Sequence, residues 1–380
     1  MHQQILWSAA TMGLNQMCAL ALGIVVAISA RAADPAVSQA DLAAAAALRD
    51  HALQANDAYA IVESLTTEVG PRPAGSDGDR AAVAWAQRTF ERLGFASVHT
   101  LDVTVPHWIR GASALKVVGP YPQPMPALAI GGSVGTPEDG IQAEAIEIAD
   151  LDALKALPAG ALERHIAYFS QRMERTRDGA GYRKAVQVRA RGASAAAALG
   201  ALAIVIRSIG TDWNRLPHTG ALVYDVNSPR IPAVAISNPD ADSLERMFAA
   251  AKPVTLALNV ATRELPDAHS ADVIGEIPGT DRAREVVLLG AHLDCWDPGV
   301  GAIDDGAGVA IVMAAARLLR DIEPKPARTV RVVLFADEES GLSGARAYTA
   351  QGPLVMAEHA IAMEADLGSG PVWRLDSAVA

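Results

Sequence analysis

Cysteine is nearly absent from this chain, which has 2 in 380 residues, Cys18 and Cys295. Cys18 lies in an apolar N-terminal stretch, so removal of that stretch would leave one thiol and no intramolecular disulfide. The formal net charge is -11 and the sequence has no block of Lys and Arg, which excludes a nucleic-acid binder that relies on phosphate attraction. Hydrophobic residues make up 51% of the sequence, so we expect the core, rather than disulfides, to stabilise the fold.

The first 32 residues predict an export signal. An apolar stretch from Cys18 to Ala30 precedes Ala30-Arg31-Ala32, which has the small-residue pattern of a cleavage site. The first four residues contain no Lys or Arg, which signals usually have there. An uncleaved anchor is the alternative, because residues 5–30 are long enough to span a bilayer. We therefore expect a periplasmic or secreted protein without stable membrane association or, if the signal is retained, a membrane-anchored one.

The middle of the chain differs in pattern from its two flanks. Residues 110–265 contain many short β-like runs separated by Gly and Pro turns, with one Ala-rich helix near residues 182–199. This pattern favours a separate, mostly β module. Before it, residues 40–68 and 79–93 have apolar residues at helical spacing, and residues 97–105 predict a strand.

From Ala271 onward, apolar strands alternate with amphipathic helices. The strands are predicted at residues 286–289, 330–335 and 360–363, and the helices at about 305–320 and 341–350. Strands that are apolar on both faces are typical of parallel sheets covered by helices on both sides. The predicted fold class is therefore α/β, with a mostly parallel central sheet flanked by helices.

Acidic and imidazole side chains follow each of these strands. His292 and Asp294 come after the first, Glu338 and Glu339 after the second, and Asp366 after the third. Asp304 and Asp305 begin the helix that leaves the first strand. Because ligands bind beyond the carboxyl ends of parallel strands, we expect these groups to converge there. Converging carboxylates repel one another unless a cation neutralises them, so the pattern predicts a metal site.

Each motif taken alone has a simpler structural interpretation. A single His after a strand is usually a loop residue, and the pair Asp304-Asp305 is typical of a helix N-cap. Glu338-Glu339 alone would be a solvated first helical turn that the helix dipole favours. These interpretations require independent coincidences at one sheet edge, so we prefer the metal interpretation.

The residue types suit zinc, which binds imidazole nitrogen and carboxylate oxygen. Asp304 is placed to bridge two ions, and two adjacent glutamates allow one to bind metal while the other acts as a general base. Asp294 follows His292 by two residues and is placed to orient its imidazole. We interpret Cys295 as a packing residue.

The sequence resembles the co-catalytic zinc exopeptidases of the aminopeptidase and glutamate carboxypeptidase group, and within it the carboxypeptidase Q branch. The run from His292 to Gly308, HLDCWDPGVGAIDDGAG, is similar to the signature of that branch, with Cys295 where Ser is usual. Shorter matches include Val105-Pro106-His107-Trp108, Ile206-Arg207-Ser208 and Pro217-His218-Thr219-Gly220.

The resemblance implies a role for each of these site residues. His292 and Asp366 would bind one zinc, Asp304 would bridge, and Glu339 would bind the second. Glu338 would be the general base, and Asp294 would orient His292. His107 and His218 are taken as structural or domain-contact residues.

The resemblance also implies a division of the chain. Residues 1–32 would be the signal peptide, and 33–107 and 268–380 two segments of the peptidase domain. Residues 108–267 would be an inserted, protease-associated-like module. The family supplies a final histidine from beyond the position of Asp366, so we expect a C-terminally truncated chain whose second zinc site and activity are impaired. His359 cannot replace that histidine, since it begins the third strand, at the end opposite to the site.

Two functions therefore remain open from the sequence. The first is an exported dizinc exopeptidase that hydrolyses dipeptides or short peptides, with Glu338 as base to a zinc-bound water. The second is a non-catalytic binding protein that uses the protease-associated module on a degenerate peptidase scaffold. Retention of Glu338 favours the enzyme, because a binder does not need a base. A cyclising aminoacyl transferase fits less well, since such proteins need no such insert. The preferred peptide terminus, the accepted side chains and a homodimeric state stay open.

Overall fold

The structure is a computed structural model that describes residues 37–54, 57–366 and 368–370. The predicted signal peptide lies outside these residues. Across the described ranges, no helix has both the length and the apolar character needed to cross a bilayer. Residues from Leu48 onward belong to one compact unit, which contains both sheets of the protein.

Nine α-helices are defined in the described residues, and a π-helical turn at Leu65–Val69 follows the second of them. They are α1 (Gln39–Gln54), α2 (Asp57–Ser64), α3 (Asp77–Arg92), α4 (Leu151–Lys155), α5 (Ala180–Ala197), α6 (Asn238–Ala249), α7 (Gly306–Asp321), α8 (Ser343–Thr349) and α9 (Pro353–Met356).

Thirteen strands are defined in the same part of the chain. They are β1 (Ser97–Ile109), β2 (Ser113–Gly119), β3 (Gln123–Met125), β4 (Ala127–Ala129), β5 (Ile141–Ile148), β6 (Ile166–Phe169), β7 (Ala203–Arg207), β8 (Ala233–Ile236), β9 (Thr255–Val260), β10 (Arg263–Ile277), β11 (Arg282–His292), β12 (Arg328–Phe335) and β13 (His359–Glu364).

The first sheet has five strands in the order β1-β10-β12-β11-β13. β11 pairs in parallel with both β12 and β13, as the alternation of strand and helix predicts. β10 is antiparallel to β12 and to β1, so the described sheet is mixed. The α/β fold class is confirmed, and the parallel part is the part that carries the acidic motifs.

Both faces of β12 are covered, since alternate residues of a strand point to opposite sides, whereas β13 at the edge of the sheet is exposed. On one face, Val330, Val332 and Leu334 pack in a core with α2, α3 and α7, and Trp85 and Phe90 of α3 are almost fully buried there. On the other face, Val333 packs with Tyr348 of α8. An apolar strand that is buried on both sides therefore places its end, and the polar residues beyond it, at a defined position.

The second sheet has eight strands in the order β3-β2-β9-β5-β6-β7-β8-β4. Its strands β5, β6, β7 and β8 are parallel neighbours, with α5 packed on one face and α6 on the other. We expected a mostly β module with one helix, but α6 is a second substantial helix of 12 residues. Ser237 caps it by accepting the Asp240 N–H at 3.2 Å, a signal that was present in the sequence.

β1 and β10 of the first sheet form a two-stranded ribbon that leads to the second sheet. β1 and β10 pair antiparallel over almost their full length, from Ser97 opposite Glu276 to Ile109 opposite Arg263. The proposed module boundaries, 107/108 and 267/268, lie near one another on this ribbon, since His107 is opposite Leu265. The chain therefore passes from β1 of the ribbon into the second sheet and returns to the first sheet through β10.

Candidate metal centre

Three of the residues predicted to bind metal meet at the carboxyl ends of the parallel strands. His292 ends β11, Asp366 lies two residues beyond β13, and Asp304 lies in the loop before α7. The Nε2 atom of His292 is 3.1 Å from Oδ1 of Asp304 and 3.3 Å from Oδ1 of Asp366. One donor atom from each of the three lies within 4.8 Å of the others. These distances are short enough for one cation to contact all three.

His292 is fully buried, and its ring is held from the other side by Asp294. The Nδ1 atom of His292 is 3.1 Å from the backbone carbonyl of Asp294 and 3.5 Å from that residue's Oδ1. Burial by itself would lower the pKa of His292, but hydrogen bonds to Asp294, Asp304 and Asp366 raise it far above its ordinary value. This arrangement keeps Nδ1 engaged and leaves Nε2 facing the carboxylates.

The two adjacent aspartates at the start of α7 have separate tasks. Asp305 is buried and caps the helix, since its Oδ1 accepts the Gly308 N–H at 3.0 Å and its Oδ2 accepts the His292 N–H at 3.1 Å. Burial raises the pKa of Asp305 to about 7. The Asp304 side chain is 64% exposed and faces His292. The N-cap interpretation therefore holds for Asp305, while Asp304 is free to bind a ligand.

Asp294 also connects the ends of two neighbouring strands. Its Oδ1 accepts the backbone N–H of Glu338 at 3.0 Å, and its Oδ2 lies 3.3 Å from the backbone nitrogen of Glu339, which donates to it. The same carboxylate lies beside the His292 ring. One buried side chain therefore sets the position of the imidazole relative to the two glutamates that follow β12.

Glu338 and Glu339 lie at the same edge, but the structure does not bring their carboxylates into the three-residue group. Burial is the main cause that raises the pKa of Glu338 to about 7, with repulsion from Asp366 and Asp294 adding to it. Burial likewise raises the pKa of Glu339 to about 8, with repulsion from Asp304 adding to it. The site concentrates more negative charge than its single imidazole can balance, so an added cation would relieve this repulsion.

The turn that presents these glutamates depends on Asp337. This residue has a φ of 57°, in the left-handed region that Asp tolerates better than most residues. Its buried carboxylate accepts hydrogen bonds from the hydroxyls of Ser340 and Ser343. Asp337 directly precedes the two glutamates, and these contacts hold the turn from which they extend.

Sequence reasoning missed Arg72, a fully buried guanidinium beneath the loop that connects His292 to Asp304. It donates hydrogen bonds to the carbonyl of Leu293 at 2.5 Å, to that of Val300 at 2.6 Å and to that of Gly301 at 3.0 Å. The Cys295 N–H lies 3.3 Å from the Arg72 carbonyl, to which it donates. Burial lowers the pKa of Arg72, and the nearby acidic residues of the site oppose that effect. One side chain thus fixes both ends of the loop and places a positive charge close to the carboxylates.

The remaining residues that the sequence drew attention to do not join the cluster. Cys295 is buried against Gly301, and burial raises the pKa of its thiol, in agreement with a packing role. His107 packs on Gly75, and His218 lies 3.3 Å from Asp212 at the surface. His359 begins β13 opposite Val286, whereas Glu364 at the other end lies opposite Gly290.

The donor set fits zinc better than other common ions. The three-residue group offers one buried imidazole nitrogen and two carboxylate oxygens, which are groups that zinc binds. Cys295 lies nearby as a buried thiol and is not one of the three residues. Calcium and magnesium prefer oxygen ligands alone, so the central imidazole disfavours them. The hydrogen bonds to Nδ1 supply the outer contact that metal-bound histidines usually have.

A cleft of about 670 Å³ lies next to the cluster. Asp294 and Glu339 line it, together with the residues 295–297 that follow β11. The lining also includes residues 106–108 of β1, Glu264, Leu265 and Asp267 of β10 and, from the loop before β8, residues 222–226, Ser228 and Arg230. Clefts of this size accommodate small ligands such as short peptides.

Comparisons with known proteins agree with this geometry. Residues 272–370, which hold all six predicted site residues, match the description "Peptidase family M28". Carboxypeptidase Q of Mus musculus is 35% identical to this chain over 314 residues, which is 83% of this chain and 65% of the mouse protein. The chain therefore spans just under two thirds of the length of that relative.

Two solved structures extend the comparison to the fold. A peptidase M28 precursor from Shewanella amazonensis is 46% identical and has a TM-score of 0.86, covering 87% of this chain and 75% of that chain. A zinc aminopeptidase from Bacillus subtilis is 20% identical with a TM-score of 0.58, covering 82% of this chain and 68% of that chain. The second likeness is one of fold alone.

Proposed function

The chain belongs to peptidase family M28, in its carboxypeptidase Q branch, and from this membership we propose that it is an exported zinc exopeptidase acting on dipeptides or short peptides. One observation carries the proposal. His292, Asp304 and Asp366, which come from different parts of the chain, meet within 4.8 Å at the carboxyl edge of the parallel strands. In open α/β sheets that edge is where ligands bind.

The proposed metal assignment follows the donor atoms. His292, Asp304 and Asp366 would hold one zinc. Glu339 lies outside the three-residue group and lines the cleft, so Glu339 and Asp304 would be the ligands of a second zinc. Zinc at this position would supply a Lewis acid and lower the pKa of a water molecule.

The side chains of the chain itself would manage the proton. Glu338 is the proposed general base, which takes a proton from the attacking water and passes it to the leaving amine. Glu338 is half-buried at this edge, where burial and the nearby carboxylates of Asp366 and Asp294 raise its pKa, and a carboxylate in such a position can take up and release a proton. Asp294 is the proposed positioning residue, since it contacts His292 and both backbone N–H groups at the glutamates.

The organisation of the chain is part of the proposal. Residues 33–107 and 268–380 would form the peptidase domain, and 108–267 a protease-associated-like insert. The separation of the strands into two sheets joined by the β1–β10 ribbon supports this division. Residues 1–32 would direct export to the periplasm or outside the cell.

A peptidase assay with a metal measurement tests the proposal. We would incubate the zinc-loaded protein with dipeptides and with forms blocked at either terminus, and quantify the released amino acids. Glu338→Gln should reduce kcat by at least about a hundredfold while zinc content stays the same, because a general base contributes 10²–10⁴-fold. The matched control is Glu358→Gln, an exposed glutamate before β13. Unchanged turnover in Glu338→Gln would contradict the assignment of the base, and peptide binding without turnover in the wild type would favour a binding protein.

A further inference from the structure

One wall of the cleft comes from the loop that precedes β8 of the second sheet. Residues 222–230, which precede β8, line the cleft that Asp294 and Glu339 also line. This segment is held by backbone hydrogen bonds, since Leu222 donates to the Gly131 carbonyl at 3.0 Å and Val223 donates to the Ala190 carbonyl at 2.9 Å. A substrate side chain that enters the cleft therefore contacts a wall whose backbone is held in place by these hydrogen bonds.

Two residues of the segment hold its shape. The Tyr224 hydroxyl donates to the Ile231 carbonyl at 2.6 Å and accepts the Val134 N–H at 3.1 Å. The Arg230 guanidinium lies 4.9 Å from the centre of the Tyr224 ring and pairs with Glu264 of β10. The ion pair joins the segment to the ribbon. A wall that is preformed in this way loses little entropy when a ligand binds.

The side chains that the segment presents are apolar and exposed. Val223 is 68% exposed and Val226 is 95% exposed, and both line the cleft. Neither belongs to a core cluster of the described residues. They are therefore available to contact an apolar group next to the metal centre.

The charges around the cleft are mainly negative. Arg230 is neutralised by Glu264, whereas Asp225 and Asp267 line the cleft and form no ion pair within the described part of the chain. A substrate with an acidic side chain would meet repulsion here, which is an effective way to exclude it.

From these contacts we propose that residues 222–230 are the specificity wall of the cleft, which accepts an apolar substrate side chain and rejects an acidic one. The proposal rests on the proposed peptidase function and adds the substrate class. The loop before β8 of the second sheet thereby takes part in the choice of substrate.

Two lysine substitutions test the wall. We would measure kcat/KM of the zinc-loaded protein for Ala-Leu, Leu-Ala, Ala-Glu and Glu-Ala, and express specificity as the ratio of the better Leu peptide to its Glu counterpart. The wild type should favour Leu at least tenfold, and Val223→Lys and Val226→Lys should each lower this ratio about tenfold, since an apolar contact is worth 10–200-fold. Leu216→Lys is the matched control: Leu216 is 70% exposed in the same part of the chain but lies outside the cleft, so the ratio should not change.

The outcomes separate this proposal from the peptidase function. Hydrolysis with a ratio that neither valine variant changes would overturn the specificity wall and leave the peptidase intact. If the wild type hydrolyses none of the peptides, the peptidase function fails, and calorimetric titration of the same four peptides then tests the wall directly. Tighter binding of Leu than of Glu peptides, lost in the valine variants, supports the wall; equal binding overturns it.

Discussion

The Asp294 carboxylate accepts the backbone N–H of Glu338 at 3.0 Å, although the two residues follow different strands. The same carboxylate lies beside the His292 ring. This relationship makes the geometry of the imidazole and the position of the glutamates depend on one buried side chain. Substitution of Asp294 should therefore affect metal binding and turnover together.

Asp294→Asn tests this dependence. The asparagine side chain keeps one acceptor oxygen but has an NH2 donor in place of the other. It can therefore accept only one of the two backbone N–H groups, of Glu338 and Glu339, that the carboxylate accepts. We expect zinc affinity to fall about 10–100-fold, as for other outer contacts of metal ligands. Competition with a chromophoric chelator measures this. Asp281→Asn, at an exposed position before β11, is the control, and equal zinc affinities in Asp294→Asn and the wild type would contradict the assigned role.

Arg72→Lys tests the support of the loop between His292 and Asp304. A lysine carries the charge but cannot reproduce the fork that reaches Leu293, Val300 and Gly301 at once. We expect a loss of roughly 2–4 kcal/mol in the free energy of unfolding, because buried carbonyls lose their partners. Chemical denaturation measures this loss. Arg49→Lys, at an exposed position, is the control and should leave the free energy of unfolding unchanged. An unchanged free energy of unfolding in Arg72→Lys would contradict a structural role for the guanidinium.

The parallel half of the first sheet could be predicted because its strands are apolar on both faces. The sequence therefore placed the ends of β11, β12 and β13, and with them His292 and Asp366, at one edge. The sequence assigned Asp304 to the metal site, but the role of Asp305, which caps α7 and accepts the His292 N–H, needed the structure because both residues have the same chemistry.

Arg72 and β10 could not be predicted for different physical reasons. Arg72 bonds to backbone carbonyls more than 200 residues away in sequence, and carbonyls leave no trace in a sequence pattern. The first half of β10 is polar, exposed and interrupted by Pro266, because it lies in a ribbon rather than in the covered sheet. Only its second half, from Ala271, is buried on both sides.

Asp272 predicts how stability changes with pH. This carboxyl is fully buried in β10, and its Oδ1 accepts the Ala336 N–H at 2.9 Å, while its Oδ2 has no partner. Burial raises the pKa of Asp272 to about 7 from its ordinary 3.8. Between these two values the unfolded chain releases the proton and the folded chain keeps it, so the contribution of Asp272 to stability falls as the pH rises from about 4 to 7.

Asp272→Asn removes this titration and should be more stable than the wild type at pH 8, by on the order of 2 kcal/mol. The advantage should shrink steadily as the pH is lowered towards 4.5, where both forms are neutral at this position. Urea denaturation at several pH values measures the difference. The exposed Asp281→Asn should show no such trend, and a constant difference between Asp272→Asn and the wild type across the range would show that Asp272 is ionised in the fold.

Metal addition and removal should change thermal stability through His292. A ligand that binds only the folded state stabilises it by RT ln(1 + [L]/Kd), which is about 2.7 kcal/mol at a concentration one hundred times Kd. We expect zinc to raise the Tm of the chelator-treated protein and EDTA to reverse the rise. His292→Asn should abolish the shift, because it removes the imidazole that lies within 3.3 Å of both partner carboxylates. His218→Asn, a surface histidine paired with Asp212, should retain it. A zinc-dependent rise of equal size in His292→Asn would place the metal elsewhere on the chain.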